Sequence, residues 1–430
     1  MRMNAWWGSC FITLTCIALL STRAAQGANP AAQQAQVPGP LHLAAVSAGY
    51  DHTCGITSTG STYCWGNNDS GQLGSGTSGG YQSKPVLVAG NLLFSSITAG
   101  FHHTCGITTT GATYCWGANG LGQLGIGTQD QQTHPLPQQV QGGYTFIQIS
   151  AGGAYTCAVN REHFAWCWGQ NRYGQLGNGS VDPTGTRTRP DLVGGGTIKF
   201  SSVSAGFVHT CGIAMPIHLG PHDLPGVHDL GLGRAYCWGR NLEGELGNNS
   251  AQLHATPVLI SGGHEWASIS ARGWFHDNAG NLICSPFTCG TGLTYGLATS
   301  PVTQCGLPYE WGWAASGSSD IPQHVPGDST FTTMDGGVGF GCGIAGSGSS
   351  GGPAYCWGNN NVGQLGSGSP SNSTTPAAVS GGLVFTSLST GASHACGIAA
   401  GGVVYCWGWN STGQLGDGST QNRNIPVAVQ

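Results

Sequence analysis

Several side chains that could bind a metal ion lie in one stretch of the chain, residues 215–233. A His-Asp pair occurs twice in this stretch, six residues apart. Imidazole nitrogen and carboxylate oxygen are ligands that zinc and similar ions accept. Glycine and proline surround these residues and give a metal no rigid scaffold, so we favour a variable surface loop and expect no cofactor. The candidate ligands are His218, His222, Asp223, His228 and Asp229.

Catalytic motifs are absent from the sequence. It has no H-E-x-x-H pair and no phosphate-binding loop, and no strand-to-helix turn is predicted that would form a nucleophile elbow. The neighbouring acids Glu243 and Glu245 are weak evidence for a hydrolase. Only 7% of the residues are charged, so few cations could neutralise phosphates, which argues against binding to nucleic acid or to anionic membranes. These features favour binding over catalysis.

Cysteines recur in pairs, most of them ten residues apart. A hairpin with a three-residue loop at residues 58–60 places Cys54 directly opposite Cys64, at a distance that a disulfide accepts. We therefore predict six disulfides inside hairpins, which are typical of an oxidising compartment. The pairs are Cys54–Cys64, Cys105–Cys115, Cys157–Cys167, Cys211–Cys237, Cys342–Cys356 and Cys396–Cys406. Cys284, Cys289 and Cys305 remain; one additional disulfide can form, and the odd cysteine could crosslink chains. Cys284 is aligned with the cysteine strand of the fifth unit, with Asp277 near the position of its partner.

The cysteines recur because the chain itself repeats, seven times. Each unit is predicted to form four short strands; in the second unit these cover residues 92–97, 104–108, 113–116 and 136–140. A unit of this kind is typical of a propeller blade, while an open solenoid and independent modules are the alternatives. The units begin at Ser47, Thr98, Ser150, Ser204, Ser270, Asp335 and Ser389.

The two ends of the chain favour a closed ring. Residues 41–46 form a predicted strand with no earlier unit to join, whereas the last unit ends without a strand of this kind. We predict an all-β, seven-bladed β-propeller over residues 41–430, closed by the N-terminal strand pairing into the last blade. This closure leaves no open sheet edge. The fifth blade, at about residues 270–335, has lost most of its motifs and is called degenerate here.

The phrase Trp-Gly-x-Asn-x-x-Gly-Gln-Leu-Gly recurs six times, with Glu245 replacing Gln in one copy. It resembles the regulator of chromosome condensation repeat family, whose members form seven-bladed propellers. The family includes a nuclear exchange factor, a plant photoreceptor and a secreted inhibitor of β-lactamases, so the resemblance implies a fold more than an activity. The secreted member is the nearest functional analogue, because few charges are available for a nuclear partner. The copies lie at 65–74, 116–125, 168–177, 238–247, 357–366 and 407–416.

The N-terminus reads as a secretory signal peptide over residues 1–27, followed by a linker over 28–40. We therefore expect a secreted protein, extracellular or periplasmic, with no transmembrane anchor. Five N-glycosylation sequons make a glycoprotein possible in a host that glycosylates. They lie at Asn68, Asn178, Asn248, Asn372 and Asn410.

Two polar positions recur with the repeat, and we assign both to structure. The histidines are expected to bond the turn of their own blade, and the asparagines to satisfy loop backbone. The histidines are His52, His103, His209 and His394; the asparagines are Asn68, Asn119, Asn171, Asn241, Asn360 and Asn410.

A binding surface is predicted where the Ala-Gly-aromatic turns and the Gly-Gln-Leu-Gly loops share one face. We select Tyr50, Phe101, Tyr155, Phe207 and Trp274 there. Trp311 and Trp313 lie in what is predicted to be a long loop of the fifth unit, which is either a decayed blade or a recognition loop.

The function expected from these features is that of a non-catalytic, monomeric binding module for an extracellular protein or glycan. The alternatives are a secreted enzyme with a central pocket or a His/Asp metal site, and a structural cell-wall or matrix component.

Overall fold

The computed structural model describes residues 39–182, 185–215, 233–273, 292–300, 303–314, 317–346 and 350–430. Several residues named above lie outside these ranges. They are the five candidate metal ligands, Trp274, Cys284, Cys289, the expected signal peptide and most of the linker. The described residues contain 28 strands and one short 3-10 helix, Val193–Gly196, so the fold is all-β.

Five repeat units each form a four-stranded antiparallel sheet whose strands follow one another in sequence order. The strands are short because glycine-containing turns interrupt the chain every few residues. Unit one contains β1 Ala45–Ala48, β2 His52–Ile56, β3 Thr62–Asn67 and β4 Tyr81–Leu87; unit two contains β5 Phe94–Ala99, β6 His103–Thr108, β7 Thr113–Ala118 and β8 Thr133–Gln139. Unit three contains β9 Phe146–Ala151, β10 Tyr155–Asn160, β11 Ala165–Gln170 and β12 Thr186–Leu192; unit four contains β13 Phe200–Ala205, β14 His209–Ala214, β15 Ala235–Gly239 and β16 His254–Leu259.

Units five and six share one eight-stranded sheet, because Gly306 of unit five pairs with Phe331 of unit six. Unit seven again forms a sheet of four. Unit five contains β17 Trp266–Arg272, β18 Leu293–Ser300, β19 Thr303–Ala314 and β20 Gly317–His324; unit six contains β21 Phe331–Gly336, β22 Phe340–Ala345, β23 Ala354–Gly358 and β24 Ser373–Ala378; unit seven contains β25 Phe385–Thr390, β26 His394–Ala399, β27 Val404–Gly408 and β28 Arg423–Ala428.

All six predicted disulfides are present, each joining the second and third strands of a repeat unit. Cys54 pairs with Cys64 in the strand register as well as through sulfur, with their Cα atoms 4.1 Å apart. The other five have the same arrangement, Cys105–Cys115, Cys157–Cys167, Cys211–Cys237, Cys342–Cys356 and Cys396–Cys406.

The prediction for unit five was wrong in two respects. Residues 303–314 form strand β19 and not a long loop, and Trp311 lies opposite Thr294 as Trp65 lies opposite Thr53. The pair in the cysteine register is Tyr295 with Glu310, so Asp277 and Cys284 do not occupy these positions. A longer connection before β18 shifted the sequence alignment of this unit.

The N-terminal strand also differs from its prediction, because residues 41–46 divide between two units. Strand β1 pairs with β2 of unit one, while Leu41 N donates to Val429 O and Leu43 N donates to Gly402 O. All four strands of unit seven, β25 to β28, come from its own part of the chain, so the strand that was predicted to be missing from this unit is present.

In every unit except unit six, a buried tryptophan packs against a loop of the preceding unit; in unit six, Trp357 donates instead to the carboxylate of Glu310 in β19. The indole of Trp116 donates to the backbone oxygen of Gln72 at 2.9 Å, and a Cβ on Gly74 would lie 2.7 Å from the same indole nitrogen. Gly74 has a φ of +67°, so glycine is favoured there for conformation and for space. The repeated Trp-Gly and Gly-Gln-Leu-Gly motifs thus form the contact between consecutive units, and Trp65 makes the same contact with Gln414 O of unit seven.

Candidate binding face

The first strand of each unit ends in a polar side chain that accepts a hydrogen bond from the backbone of the following unit. Ser47 Oγ accepts from Ala99 N at 3.0 Å, and Ser389 Oγ of unit seven accepts from Ala48 N of unit one at 3.0 Å. The remaining acceptors are Thr98, Ser150, Ser204, Ser270 and Asp335. These contacts bring the Ala-Gly turns that follow the seven strands to one place.

Unit six places a carboxylate where the other units have a hydroxyl. Asp335 accepts from the Arg272 guanidinium at 2.8 and 3.0 Å and from Ser270 Oγ at 2.7 Å. Arg272 also donates from Nε to Gly336 O. Arg272 and Asp335 therefore pair with each other within the turns. This ion pair is the main difference between unit six and the other units at this position.

The turns border a shallow depression of about 60 Å³, and a polar cavity of about 280 Å³ lies next to it. Arg272 lines both, while the hydroxyls of Ser47, Thr98 and Ser150 line the polar cavity only.

Three aromatic side chains, Tyr50, Phe101 and Phe207, line the depression, and Trp409 lies beside Tyr50; we call these four residues the aromatic patch. The ring centroids of Tyr50 and Phe101 are 4.2 Å apart, those of Phe101 and Phe207 5.3 Å, and those of Tyr50 and Trp409 6.2 Å. All four are half-buried. Aromatic rings held side by side by their neighbours offer a large contact area with little freedom to lose on binding.

A glycine in unit three makes this patch continuous. Gly153 stands where units one, two and four carry Tyr50, Phe101 and Phe207. A Cβ at Gly153 would lie 2.5 Å from Phe207 O and 3.0 Å from its ring, so the absence of a side chain leaves Phe207 room to reach Phe101.

A groove of about 570 Å³ runs outward from the patch, between the loops of units two and three. Phe101 and Phe207 form its inner wall, and Arg172 and Tyr173 belong to its outer part. Arg172 lies over the ring of Tyr173, 5.6 Å from the centroid. The polar residues of the rim include Gln131, Gln132 and Gln170.

Two ionisable groups beneath the patch have shifted pKa values. Burial, reinforced by the charge of Asp69, raises the pKa of Asp51 to about 7. Burial lowers the pKa of His102 to about 4, although Asp69 acts in the opposite direction. His102 packs edge-on against Phe101, with ring centroids 4.1 Å apart, and is neutral near pH 7.

The repeat histidines are buried and serve structure, but the predicted contact was wrong. His103 Nε2 lies 2.9 Å from Thr156 Oγ1 of the next unit, not against its own turn. Because Thr156 donates its proton to Gln123 O, the histidine nitrogen is the donor. Burial lowers the pKa of His52, His103, His209 and His394 to about 3.

The repeat asparagines satisfy loop backbone as predicted. Asn68 Oδ1 accepts from Leu73 N, while its Nδ2 donates to Thr77 O. The sequon residues Asn68 and Asn410 are buried in this role, whereas Asn372 is exposed.

Of the aromatic residues selected from the sequence, Tyr50, Phe101 and Phe207 come together. Tyr155 does not join them: it occupies the histidine position of unit three, fully buried, and its hydroxyl donates to His209 O at 2.6 Å. Trp311 is buried and donates to Glu245 O. Trp313 lies in β19, and its side chain lies outside the description, as do Trp274 and the five candidate metal ligands.

The sequence analysis missed Trp409, Arg172 and Tyr173. Trp409 occupies the variable position of Trp-Gly-x-Asn, where other units have Asn67, Ala118 or Gln170. A tryptophan at a variable loop position, outside the core pattern, was the signal that could have identified it. Arg172 and Tyr173 carry no comparable signal, because loop residues at those positions differ in every unit.

In the part of the chain that the structure covers, no three His, Cys, Asp or Glu side chains are grouped as a metal site would require. Within the same residues, no helix has the length and apolar character needed to cross a membrane.

Curated relatives share the repeat over part of their length. The chain is 27% identical over 301 residues to the ultraviolet-B receptor UVR8 of Arabidopsis thaliana, covering 67% of this chain and 59% of that protein. It is 27% identical over 225 residues to the probable E3 ubiquitin-protein ligase HERC4 of Homo sapiens, covering 52% of this chain and 20% of that protein. The chain thus spans less than two thirds of the length of these relatives.

Solved structures share the fold at low identity. Human WBSCR16 aligns with a TM-score of 0.65 and 18% identity, covering 83% of this chain and 87% of that chain. The CRINKLY WD40 ectodomain of the Arabidopsis thaliana receptor kinase ACR4 aligns with a TM-score of 0.50 and 18% identity, covering 90% and 98%.

The family model described as the regulator of chromosome condensation (RCC1) repeat matches residues 59–107, 110–159, 163–213, 352–398 and 401–430, which is more than half of the chain. A second model of the same repeat matches residues 44–72, 94–123, 146–175 and 385–414. With its repeated four-stranded sheets and its six disulfides, the chain is a β-propeller protein and belongs to the RCC1 repeat family.

Proposed function

We propose that this protein is a secreted, non-catalytic binding module that recognises an extracellular protein or glycan through the aromatic patch and the adjoining groove. The observation that carries the proposal is the contact of Tyr50, Phe101 and Phe207, three half-buried rings from three different units. A preformed aromatic surface of this kind is typical of binding hot spots.

The propeller is proposed to be closed and seven-bladed. Two sets of contacts support this: Ser389 Oγ accepts from Ala48 N, and Trp65 donates to Gln414 O, as equivalent residues do between consecutive units. The hydrogen bonds of Leu41 and Leu43 to unit seven also support it. A closed ring would fix the turns of the first and last units beside each other, which places Tyr50 near Trp409.

Secretion is supported by the disulfides. Disulfides such as these six, inside β-hairpins, persist in an oxidising compartment and are rare in reducing ones. The N-terminal segment over residues 1–27 has the pattern of a signal peptide. Of the five sequons, Asn372 is the proposed glycan acceptor, because it is exposed.

Affinity capture from the extracellular fraction of the source organism tests the binding role. Immobilised wild-type protein is compared with the double variant F101A/F207A and with L93A as a control. Leu93 is 47% exposed and lines none of the cavities described above. We expect wild type and L93A to retain the same partner and the double variant to lose it. Equal retention by the double variant, with its fold intact by circular dichroism, would remove the patch from the proposal.

A further inference from the structure

We infer that the groove between units two and three binds an acidic oligosaccharide whose carboxylate pairs with Arg172. The inference rests on the proposed binding role of this face and names a ligand class for it. It is carried by the charge, the hydrogen-bonding groups and the ring faces that line the groove.

The charge of the groove comes from Arg172. No carboxylate lines the groove among the described residues, and His102 is neutral at pH 7 because burial lowers its pKa to about 4. No ion pair of Arg172 occurs within the part of the chain that is described. Its guanidinium is held above the ring of Tyr173 instead. A planar, positioned guanidinium is suited to a carboxylate, which it can bind through two parallel hydrogen bonds.

The rim of the groove supplies amides. Gln131 and Gln132 are exposed, and Gln170 Oε1 accepts from Gln175, while the amide nitrogen of Gln170 has no hydrogen-bond partner among the described residues. A carboxamide both donates and accepts hydrogen bonds. A sugar hydroxyl also does both, so several amides along one groove match a ligand that carries many hydroxyls.

The walls of the groove supply ring faces for the apolar side of a sugar. Phe101 and Phe207 form the inner wall, whereas one face of the Tyr173 ring is already covered by the Arg172 guanidinium. The volume of about 570 Å³ lies within the range of sites that bury a ligand of a few rings.

A polypeptide ligand fits the same groove less well. An extended peptide usually binds by adding a strand to a sheet edge, which requires a length of unpaired strand backbone. The groove is instead lined by strand ends, Ala118, Gln170 and Thr133, and by loop residues. Its acceptors and donors are therefore side chains, as for a hydroxylated ligand.

Isothermal titration calorimetry of the purified mature protein tests the inference. The probes are tetrasaccharides of galacturonate, glucuronate, mannuronate and guluronate, each paired with its methyl ester, which has the same rings without the charge. We expect at least one acid to bind and its ester to bind about tenfold more weakly, as the loss of a charged hydrogen-bonded pair predicts.

Variants of exposed arginines locate the site. R172Q is expected to weaken binding of that acid about tenfold. R172K is expected to weaken it nearly as much, because the lysine ammonium lacks the planar fork of the guanidinium. R161Q is the matched control, because Arg161 is exposed in the turn between β10 and β11, away from the groove. Failure of all four acids to bind, equal binding of acid and ester, or full binding by R172Q would each overturn the inference.

The result separates this inference from the broader proposal. If no uronate binds while F101A/F207A still loses its captured partner, the sugar assignment alone fails and a protein ligand takes its place. If F101A/F207A keeps that partner, the role of the aromatic patch fails whatever the sugars do.

Discussion

The ring of Phe101 lies 5.3 Å from the ring of Phe207, edge to face, although a whole repeat unit separates the two residues in sequence. Gly153 of the intervening unit permits this contact, because a side chain there would meet Phe207. Loss of one side chain in one repeat therefore joins the aromatic residues of three units into a single surface.

The substitution G153A tests this relationship. The added Cβ would lie 2.5 Å from Phe207 O, so the turn of unit four must move. We expect the free energy of unfolding in urea to fall by about 1 to 3 kcal/mol and capture of the partner to weaken. A variant as stable as wild type, with unchanged capture, would show that Gly153 does not govern the position of Phe207.

The contribution of each disulfide to the free energy of unfolding should depend on the length of the loop that it closes. Cys54–Cys64 has a sequence separation of 10 and Cys211–Cys237 one of 26. By loop entropy, replacing both cysteines with alanine should cost about 3 kcal/mol for the first pair and somewhat more, by about 0.8 kcal/mol, for the second. Urea unfolding of the two double variants measures the difference. A larger loss at the shorter loop would contradict the entropic argument.

Stability should fall as the pH decreases from 6.5. The pKa of His103 is about 3 in the folded protein against 6.5 for the unfolded chain, so the unfolded chain binds more protons in this window. His52, His209 and His394 act in the same direction. Each histidine should lower the free energy of unfolding by about 2 kcal/mol between pH 7 and pH 5. We expect H103Q to lose less stability over this interval than wild type, measured by urea unfolding at both values.

Asp51 should have the opposite effect to the histidines on the free energy of unfolding between pH 7 and pH 5. Its pKa is raised to about 7 in the folded protein from 3.8, so protonation as the pH falls through 7 favours the folded state. The variant D51N removes this contribution and should make the loss of stability towards pH 5 steeper. An unchanged loss in D51N would show that the pKa of Asp51 is not raised in the folded protein.

The ion pair of Arg272 and Asp335 should behave as a unit. R272A leaves the Asp335 carboxylate without its cation, and D335S leaves Arg272 without its anion; we expect a loss of about 1 to 3 kcal/mol for each. The double variant R272A/D335S restores the hydroxyl that other units have at this position, and should be more stable than the sum of the single losses implies. Additive losses in a double-mutant cycle would show that the pair is not coupled.

The proposed closure of the propeller would depend on residues before the first sheet. Leu41 and Leu43 are buried at 2% and 4% exposure against residues of unit seven. The substitutions L41A and L43A should each lower the free energy of unfolding by about 2 to 5 kcal/mol. L87A is a suitable control, because Leu87 is 44% exposed at the end of strand β4. Losses no larger than that of L87A would argue against these residues as the closing contact.

The sequence by itself determined the local architecture. The four-strand unit, the hairpin disulfides and the role of the repeat asparagines follow from neighbours in sequence: a turn with its required glycine places Cys54 opposite Cys64, and a loop closes on Asn68. The repeat also revealed that the units are equivalent, which is why Tyr50, Phe101 and Phe207 could be selected together.

Only the tertiary structure decided which residues meet across units. Tyr155 stands at the histidine position of its unit, and the structure buries it there, away from the aromatic patch. Trp311 belongs to a regular strand because a longer connection before β18 displaced the motif. The aromatic patch depends on Gly153, and the groove on Arg172 and Tyr173. These relationships join residues about 50 or more positions apart, whose distance depends on how the sheets pack, and no local pattern specifies that packing.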